Sequence, residues 1–372
     1  MKRTLFLIVL MVMLNVSTLI ASNPGSTGAN FLKINLDPRE SAMGSVGIGL
    51  ADGPGAMFTN PAGLSSIGHQ NLSFFYNLWF EGMNAQYFSY ILPTAVGSFG
   101  ANVNYFGYGK IQGYDANGAK TSNIDAYDLC FLLSYGRDIP SFRMKGYEVL
   151  RGLSGGINFK VIQEKLEKEK ATTFGMDLGI KVDLGKSYNV LKGISAGFSV
   201  KNIGGALKFN KEKAPLPVSY GIGVGAKREL LGEELNLGID VNIPSDNKTY
   251  VGTGLEYWIK DIIALRIGYN NKKDTSNGLS LGIGIKADIF SLNYAFVGYG
   301  KLGYTHRVGM DVRLGSHIKE VLIKKAIQRG VKYMREEKYP EAILEFNKAL
   351  KYDSSNMGAL ELIRQANEKL SQ

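Results

Sequence analysis

From residue 70 to residue 314 the chain alternates. Segments of about ten residues carry apolar side chains at every second position, with small or polar residues between them and turn-forming clusters at their ends. In 279–288, Leu279, Leu281, Ile283, Ile285 and Ala287 alternate with Ser280, Gly282, Gly284, Lys286 and Asp288. In 235–243, Leu235, Leu237, Ile239, Val241 and Ile243 alternate with Asn236, Gly238, Asp240 and Asn242. In 173–184, Phe174, Met176, Leu178, Ile180, Val182 and Leu184 alternate with Thr173, Gly175, Asp177, Gly179, Lys181 and Asp183. An apolar face this complete could line a β-sandwich. The strands are long, however, and their other face is glycine-rich. A strand that crosses a bilayer at a tilt needs about 9–11 residues, whereas globular strands average about 5–6. Transmembrane barrels turn apolar residues to lipid and small or polar ones to the lumen.

The pattern therefore predicts an all-β transmembrane barrel of about fourteen antiparallel strands, at 70–80, 84–92, 96–107, 122–136, 151–163, 171–184, 192–202, 216–227, 233–243, 248–258, 261–270, 277–287, 289–299 and 303–314. An even count suits a bacterial barrel, as do short links on the periplasmic side and longer ones outside. The link 137–150 is long yet falls among the short ones; it implies either a slip in the count or an element of its own. Aromatics at segment ends, Tyr76 and Trp79, Tyr105 and Tyr108, Tyr257 and Trp258, Tyr294 and Tyr299, stand where interfacial girdles stand. In 261–270, Ile263, Leu265, Ile267 and Tyr269 are expected to face lipid, and Ala264, Arg266 and Gly268 the lumen. On that phase a charge at Leu265 should destabilise strongly, while leucine at Arg266 should be mild.

The flanks differ in texture. Met1-Lys2-Arg3, an apolar run from Leu5 to Leu14 and small residues at Ser17, Thr18, Ala21 and Ser22 read as a signal peptide over 1–22, the alternative being an uncleaved anchor. Residues 23–69 show no sustained period. After the strands the period becomes 3.6, predicting helices at 317–337, 340–351 and about 356–370. The tail 316–372 resembles a tetratricopeptide repeat, with Ala326, Gly330, Tyr333, Ala342, Phe346 and Ala349 at its packing positions. It departs from that repeat at Arg329, where leucine is usual, and at Ser354, where proline is usual. A single repeat leaves a face uncovered. The cations Lys319, Lys324, Lys325, Arg329, Lys332 and Arg335 on its first helix suggest docking to a periplasmic partner, the plainer alternative being a hairpin lying on the barrel's mouth.

Composition narrows the chemistry. The formal charge of +10 is spread over many turns, which argues against nucleic acid, and one cysteine, Cys130, makes no internal disulfide. Gly298, Gly300 and Gly303 spell GxGxxG but lie between two strands with no helix following, and Gly185-Lys186-Ser187 lacks the spacing of a phosphate loop. His69, His306 and His317 are not spaced as metal ligands, and Asp177, Asp183, Asp240 and Asp311 are the carboxylates any barrel lumen holds. No cofactor, metal site or enzymatic activity is expected.

Residues 28–64, GANFLKINLDPRESAMGSVGIGLADGPGAMFTNPAGL, resemble the N-terminal region of the PorV/PorQ family within the FadL-like superfamily of outer-membrane barrels. The likeness rests on Phe31-Leu32-Lys33, Arg39, Ala42-Met43-Gly44, Asp52 and Asn60-Pro61-Ala62-Gly63. Where the family often has an acidic pair, Asp52 here is followed by Gly53. The resemblance implies a luminal hatch over 23–69 ahead of an outer-membrane barrel over 70–315, with the helical tail in the periplasm. It also implies two functions. The first is PorV-like work in type IX secretion, with secretion-system components and cargo signal domains as partners. The alternative is FadL-like transport of hydrophobic small molecules through the hatch and out of a lateral opening in the wall. A purely structural barrel with a docking hairpin is a third class. Outer-membrane lipid is a partner in every case.

Overall fold

A computed structural model describes residues 24–140, 142–144, 147–149, 151–186, 188–272, 278–314, 316–352 and 356–370. The signal peptide expected over 1–22 and Ser354 lie outside them. Fourteen strands close a barrel: β1 (Gln70–Leu78), β2 (Asn84–Thr94), β3 (Gly97–Gly107), β6 (Ala126–Asp138), β9 (Leu153–Leu166), β10 (Glu169–Asp183), β11 (Ile194–Gly204), β14 (Ser219–Leu230), β15 (Glu233–Pro244), β16 (Tyr250–Ile259), β17 (Ile263–Asn270), β18 (Leu279–Ala287), β19 (Phe290–Gly298) and β20 (Tyr304–Leu314). Each pairs antiparallel with its neighbours, and β1 closes on β20 from Gln70 opposite Leu314 to Leu78 opposite His306. Closure leaves no strand edge unpaired. The ladder shifts register once between β10 and β11, between Met176 and Leu178.

The six remaining strands form three hairpins in the links: β4 (Ile111–Tyr114) with β5 (Lys120–Ile124), β7 (Phe142–Met144) with β8 (Tyr147–Val149), and β12 (Leu207–Phe209) with β13 (Glu212–Ala214). The count of fourteen holds, and the anomalous link after β6 carries the hairpin β7–β8. Strand boundaries differ from the sequence reading by up to four residues, most at β6, because 120–124 pairs locally within its link instead of joining the wall.

Alternation carries through to burial. On β17 the even positions Ala264, Arg266 and Gly268 are buried and the odd ones, Ile263 to Tyr269, are exposed. Phe74, Phe88, Leu133, Phe159, Phe174, Ile239, Leu265, Ile283, Leu292 and Met310 present large apolar side chains outward around the wall. An apolar band on a closed barrel is what hydrocarbon solvates and water does not. No described helix is long and apolar enough to cross a membrane.

The aromatics at strand ends divide between the two faces. Tyr76, Tyr105, Tyr257 and Tyr294 are in phase with the outward apolar set, as a girdle requires. Trp79, Tyr108, Trp258 and Tyr299 correct the expectation. Trp79 and Tyr108 pack on an interior apolar cluster, Tyr299 stacks edge-on with Trp79, and Trp258 shares the inward phase of Glu256. Position at a strand end sets depth, and parity sets the side.

Both ends of the wall, the start of β1 and the finish of β20, lie at one rim, termed proximal; the opposite rim is distal. Beyond β20 come helices Ser316–Arg335, Tyr339–Tyr352 and Met357–Leu370. Ala326, Ala342, Phe346 and Ala349 are buried between them, Tyr333 is half-buried, and a Cβ on Gly330 would lie 2.3 Å from the Phe346 ring. Arg329 has another use. With Lys325 it reaches the β16–β17 turn, where Asp261 Oδ2 accepts from Lys325 Nζ at 3.1 Å and from Arg329 Nη2 at 2.9 Å. Part of the cationic face is thus spent on the barrel itself.

Candidate functional site

The lumen is occupied by the chain's own residues 27–67. A segment with so many small residues cannot build a core alone; here it borrows the wall's. Asp37 caps the short helix Pro38–Ala42, its Oδ1 accepting from the Arg39 N–H at 2.7 Å, with Pro38 at the position that has no donor to waste. Asn60 caps the turn Pro61–Ser66, accepting from the Ala62 N–H at 3.2 Å. Irregular backbone at this depth is tolerated because protein groups satisfy it.

Those groups come from all around the wall. Asp240 Oδ2 accepts from the N–H groups of Gly47 at 2.7 Å and Ile48 at 2.8 Å. Lys181 donates to the Leu50 and Ala51 carbonyls at 2.9 and 2.7 Å, and Ser195 to the Gly49 carbonyl at 2.7 Å. Asn158 donates to the Met57 carbonyl at 2.9 Å. Ser280 Oγ accepts from Gly44 N–H and donates to the Ala42 carbonyl, both at 3.1 Å. The Asn60 amide bridges segment and wall, donating to the carbonyls of Ile48 and Ile180 at 3.0 Å each.

The inward glycines have a physical reason. A Cβ on Gly268 would lie 1.9 Å from the Gly44 nitrogen, and one on Gly156 would lie 2.2 Å from the Pro61 carbonyl carbon. Backbone meets backbone there, and only glycine leaves the room. Gly44 itself has φ near +70°, which a side chain would strain.

At the centre stands an ion-pair network. Arg39 makes a forked contact with Glu256, Nη2 to Oε1 at 2.8 Å and Nε to Oε2 at 3.0 Å, and also pairs with Asp52. Glu256, fully buried, accepts from Arg266 Nε at 2.6 Å and from Asn236 at 2.9 Å. Arg266 also donates to Asn293 at 2.9 Å, and Lys227 pairs with Asp52. The expectation that leucine at Arg266 would be mild treated the position as a solvated luminal one; it is instead a buried charge site, and removing the charge strips Glu256 of a partner.

Toward the distal rim the interior turns apolar. Ala29, Phe31 and Leu36 pack against Phe75, Tyr87, Phe106, Cys130, Ile162, Leu207 and Leu216, with Leu32, Ile34 and Phe58 alongside. Leu207 and Leu216 belong to the β11–β14 link, which folds over the cluster; Gly28 N–H donates to the Pro215 carbonyl at 2.9 Å. Thr27 donates to Asp246 at 2.5 Å and Lys33 pairs with the same carboxylate, tying the segment to the β15–β16 link. A cavity of about 20 Å³ remains beside Phe31, Met57, Cys130 and Asn202. That is room for one water. At the proximal rim a cleft of about 570 Å³ opens between Ile67, His69, Pro93, Val96, Arg137 and Leu314.

Each residue singled out by the sequence has a place in this interior. Phe31 and Leu32 join the apolar cluster, and Lys33 the distal tie. Ala42 and Met43 lie against the inward faces of Gly282 and Gly254, and Arg39 and Asp52 belong to the ion-pair network. Asn60, Pro61 and Gly63 form the turn beneath β9 and β10, where a Cβ on Gly63 would strike the Ala51 carbonyl oxygen at 2.4 Å. Among the luminal carboxylates read from the sequence, Asp240 clamps the segment, while Asp177 pairs with Lys160 at 2.7 Å. The wall partners Glu256, Asn158, Lys181 and Lys227 were missed. Their signal was a charge or amide in the inward phase of a strand.

The sequence matches no protein-family model and no curated protein. Solved structures do share its fold. The toluene transporter TbuX of Ralstonia pickettii aligns at 13% identity and a TM-score of 0.53, covering 75% of this chain and 98% of that one. The toluene transporter TodX of Pseudomonas putida aligns at 13% identity and 0.49, covering 78% and 97%. A FadL homologue of Pseudomonas aeruginosa aligns at 10% identity and 0.45, covering 74% and 97%. At 13% identity the likeness to TbuX is one of barrel fold.

Proposed function

We propose that this chain is an outer-membrane channel for small hydrophobic molecules, with residues 28–67 as its hatch and the helical tail in the periplasm. One observation carries the reading: the distal interior is a cluster of Phe31, Leu36, Phe106, Ile162, Leu207 and Leu216, whereas the lumen of a water-filled porin is polar. An apolar solute gains by leaving water for such a surface, and a hydrated one does not. The likeness in fold to a toluene transporter points the same way. Because the cavity beside Phe31 has room for no more than a single water, a solute enters the cluster there when residues 28–36 withdraw from it. No covalent chemistry is needed.

The test is uptake of labelled toluene and of a labelled fatty acid by cells that lack such a channel of their own and express the full chain. Uptake above the empty-vector rate, lost in Phe106→Asp with the barrel still heat-modifiable, supports the proposal. The motif run at 28–64 supports the secretion-linked reading instead. Unchanged uptake, together with loss of cargo proteins from the cell surface when the native gene is disrupted, would replace transport by that reading.

A further inference from the structure

We propose that the helical tail is a latch on the hatch, acting through one chain of contacts that crosses the barrel wall from its proximal turn to its centre. The proposal rests on the reading of residues 28–67 as a hatch and adds what controls it.

The chain has six links. Lys325 and Arg329 of the tail meet Asp261 in the β16–β17 turn. Asp261 Oδ1 accepts from Lys286 Nζ of β18 at 2.9 Å. Lys286 Nζ lies 5.4 Å from the centre of the Trp258 ring, and the Arg266 guanidinium 5.9 Å from that centre. Arg266 then shares Glu256 with Arg39, which belongs to the hatch. Every link joins groups of opposite charge or a cation with a ring face, so each position is set partly by the next. Parity builds the path: Glu256 and Trp258 are two apart on β16 and point inward together, Arg266 lies opposite Glu256 on β17, and Lys286 shares the inward phase on β18.

Docking itself is weak. Asp261, Lys325 and Arg329 are each a third or more exposed, and solvent-screened pairs of that kind contribute little. The tail therefore has an undocked state within reach, and whatever occupies Lys325 and Arg329 selects it. When the tail leaves, Lys286 is the ion-pair partner that Asp261 keeps among the described residues. That ammonium is drawn off the Trp258 face toward the turn, the ring loses one of its two cations, and Arg266 is freed to shift from the carboxylate it shares with Arg39.

The experiment measures hatch exposure directly, in the full chain reconstituted in liposomes. Cysteine at Gly53 serves as the reporter: a Cβ there has only Arg39 Nη1 near it, at 3.7 Å, and native Cys130 is fully buried. Its labelling rate by a membrane-impermeant maleimide is compared in three backgrounds: Lys325→Gln with Arg329→Gln, Trp258→Leu, and all three changes together. Expected is a rise of about 2- to 30-fold on breaking either end, the range such couplings span, with the triple variant no faster than the faster of the two. Arg364→Gln, in an exposed pair of the last helix, controls for loss of a surface charge and should leave the rate unchanged. Unchanged labelling in the tail variant, or rises that simply multiply in the triple variant, would overturn the latch. Heat-modifiable migration of each variant confirms that the barrel has folded. Toluene uptake is read on the same samples: faster labelling with no uptake in any variant would keep the latch and remove the transport reading.

Discussion

Replacing Arg266 by leucine tests the central network. Arg266 is 4% exposed, and its guanidinium donates to Glu256 at 2.6 Å and to Asn293 at 2.9 Å. Breaking a buried ion pair from one side costs about 3–5 kcal/mol, because the surviving charge is left short of partners. Glu256 keeps its forked contact with Arg39 and its bond from Asn236, so the loss should fall near the low end, about 3 kcal/mol. Leu265→Arg, one residue away and facing lipid, should cost about 2–4 kcal/mol. The two variants should therefore be similarly destabilised, where alternation alone predicts a wide gap. Glu256→Leu should exceed both, since it takes the counter-ion from two cations at once, leaving Arg266 with the neutral Asn293 and Arg39 with Asp52. The assay is guanidinium titration in phospholipid vesicles followed by tryptophan fluorescence, with Trp258 beneath Arg266 as one of the two reporters. A variant of Arg266→Leu within about 1 kcal/mol of the parent would show that the pair is not a net support, as some buried pairs are not.

Gly268→Val should leave a closed, heat-modifiable barrel but displace the luminal segment around Gly44, because its Cβ would fall 1.9 Å from the Gly44 nitrogen; faster amide exchange over 42–48 would show it, and unchanged exchange would contradict the close approach. Asn60→Ala removes the bonds to the Ile48 and Ile180 carbonyls and should cost about 1–3 kcal/mol, the desolvation penalty of buried unpaired groups, measured by the same titration. Burial raises the Asp261 carboxyl, but Lys286 and Lys325 outweigh it and hold it below its usual 3.8. The tail's docking should accordingly be fully present above about pH 4 and fade as pH falls through the depressed value. Protease cleavage at the β20–helix junction should rise on acidification and not on alkalinisation.

Much of this fold was written locally. The two-residue period of 235–243 or 279–288 follows from pleat geometry and the cost of wetting apolar side chains, so it survives reading without any partner strand. Phase came with it: Arg266 inward and Leu265 outward were both legible, as was the aperiodic texture of 23–69. The tail's 3.6 period and the buried Ala342, Phe346 and Ala349 were equally local. What parity could not say is which inward groups meet. Arg39 and Glu256 are 217 residues apart, Asp240 and Gly47 are 193 apart, and nothing in either stretch names the other. Those pairings depend on closure of β1 on β20, on the register of every hairpin between, and on how far the segment penetrates before it turns at Asn60. The same holds for Trp258, whose place at a strand end suggested a membrane girdle until its neighbours on β17 and β18 supplied two cations. Alternation is a property of one strand in one solvent. A buried charge network is a property of many strands at once, because in the interior each ion must find its counter-ion among groups that only the closed barrel brings within reach.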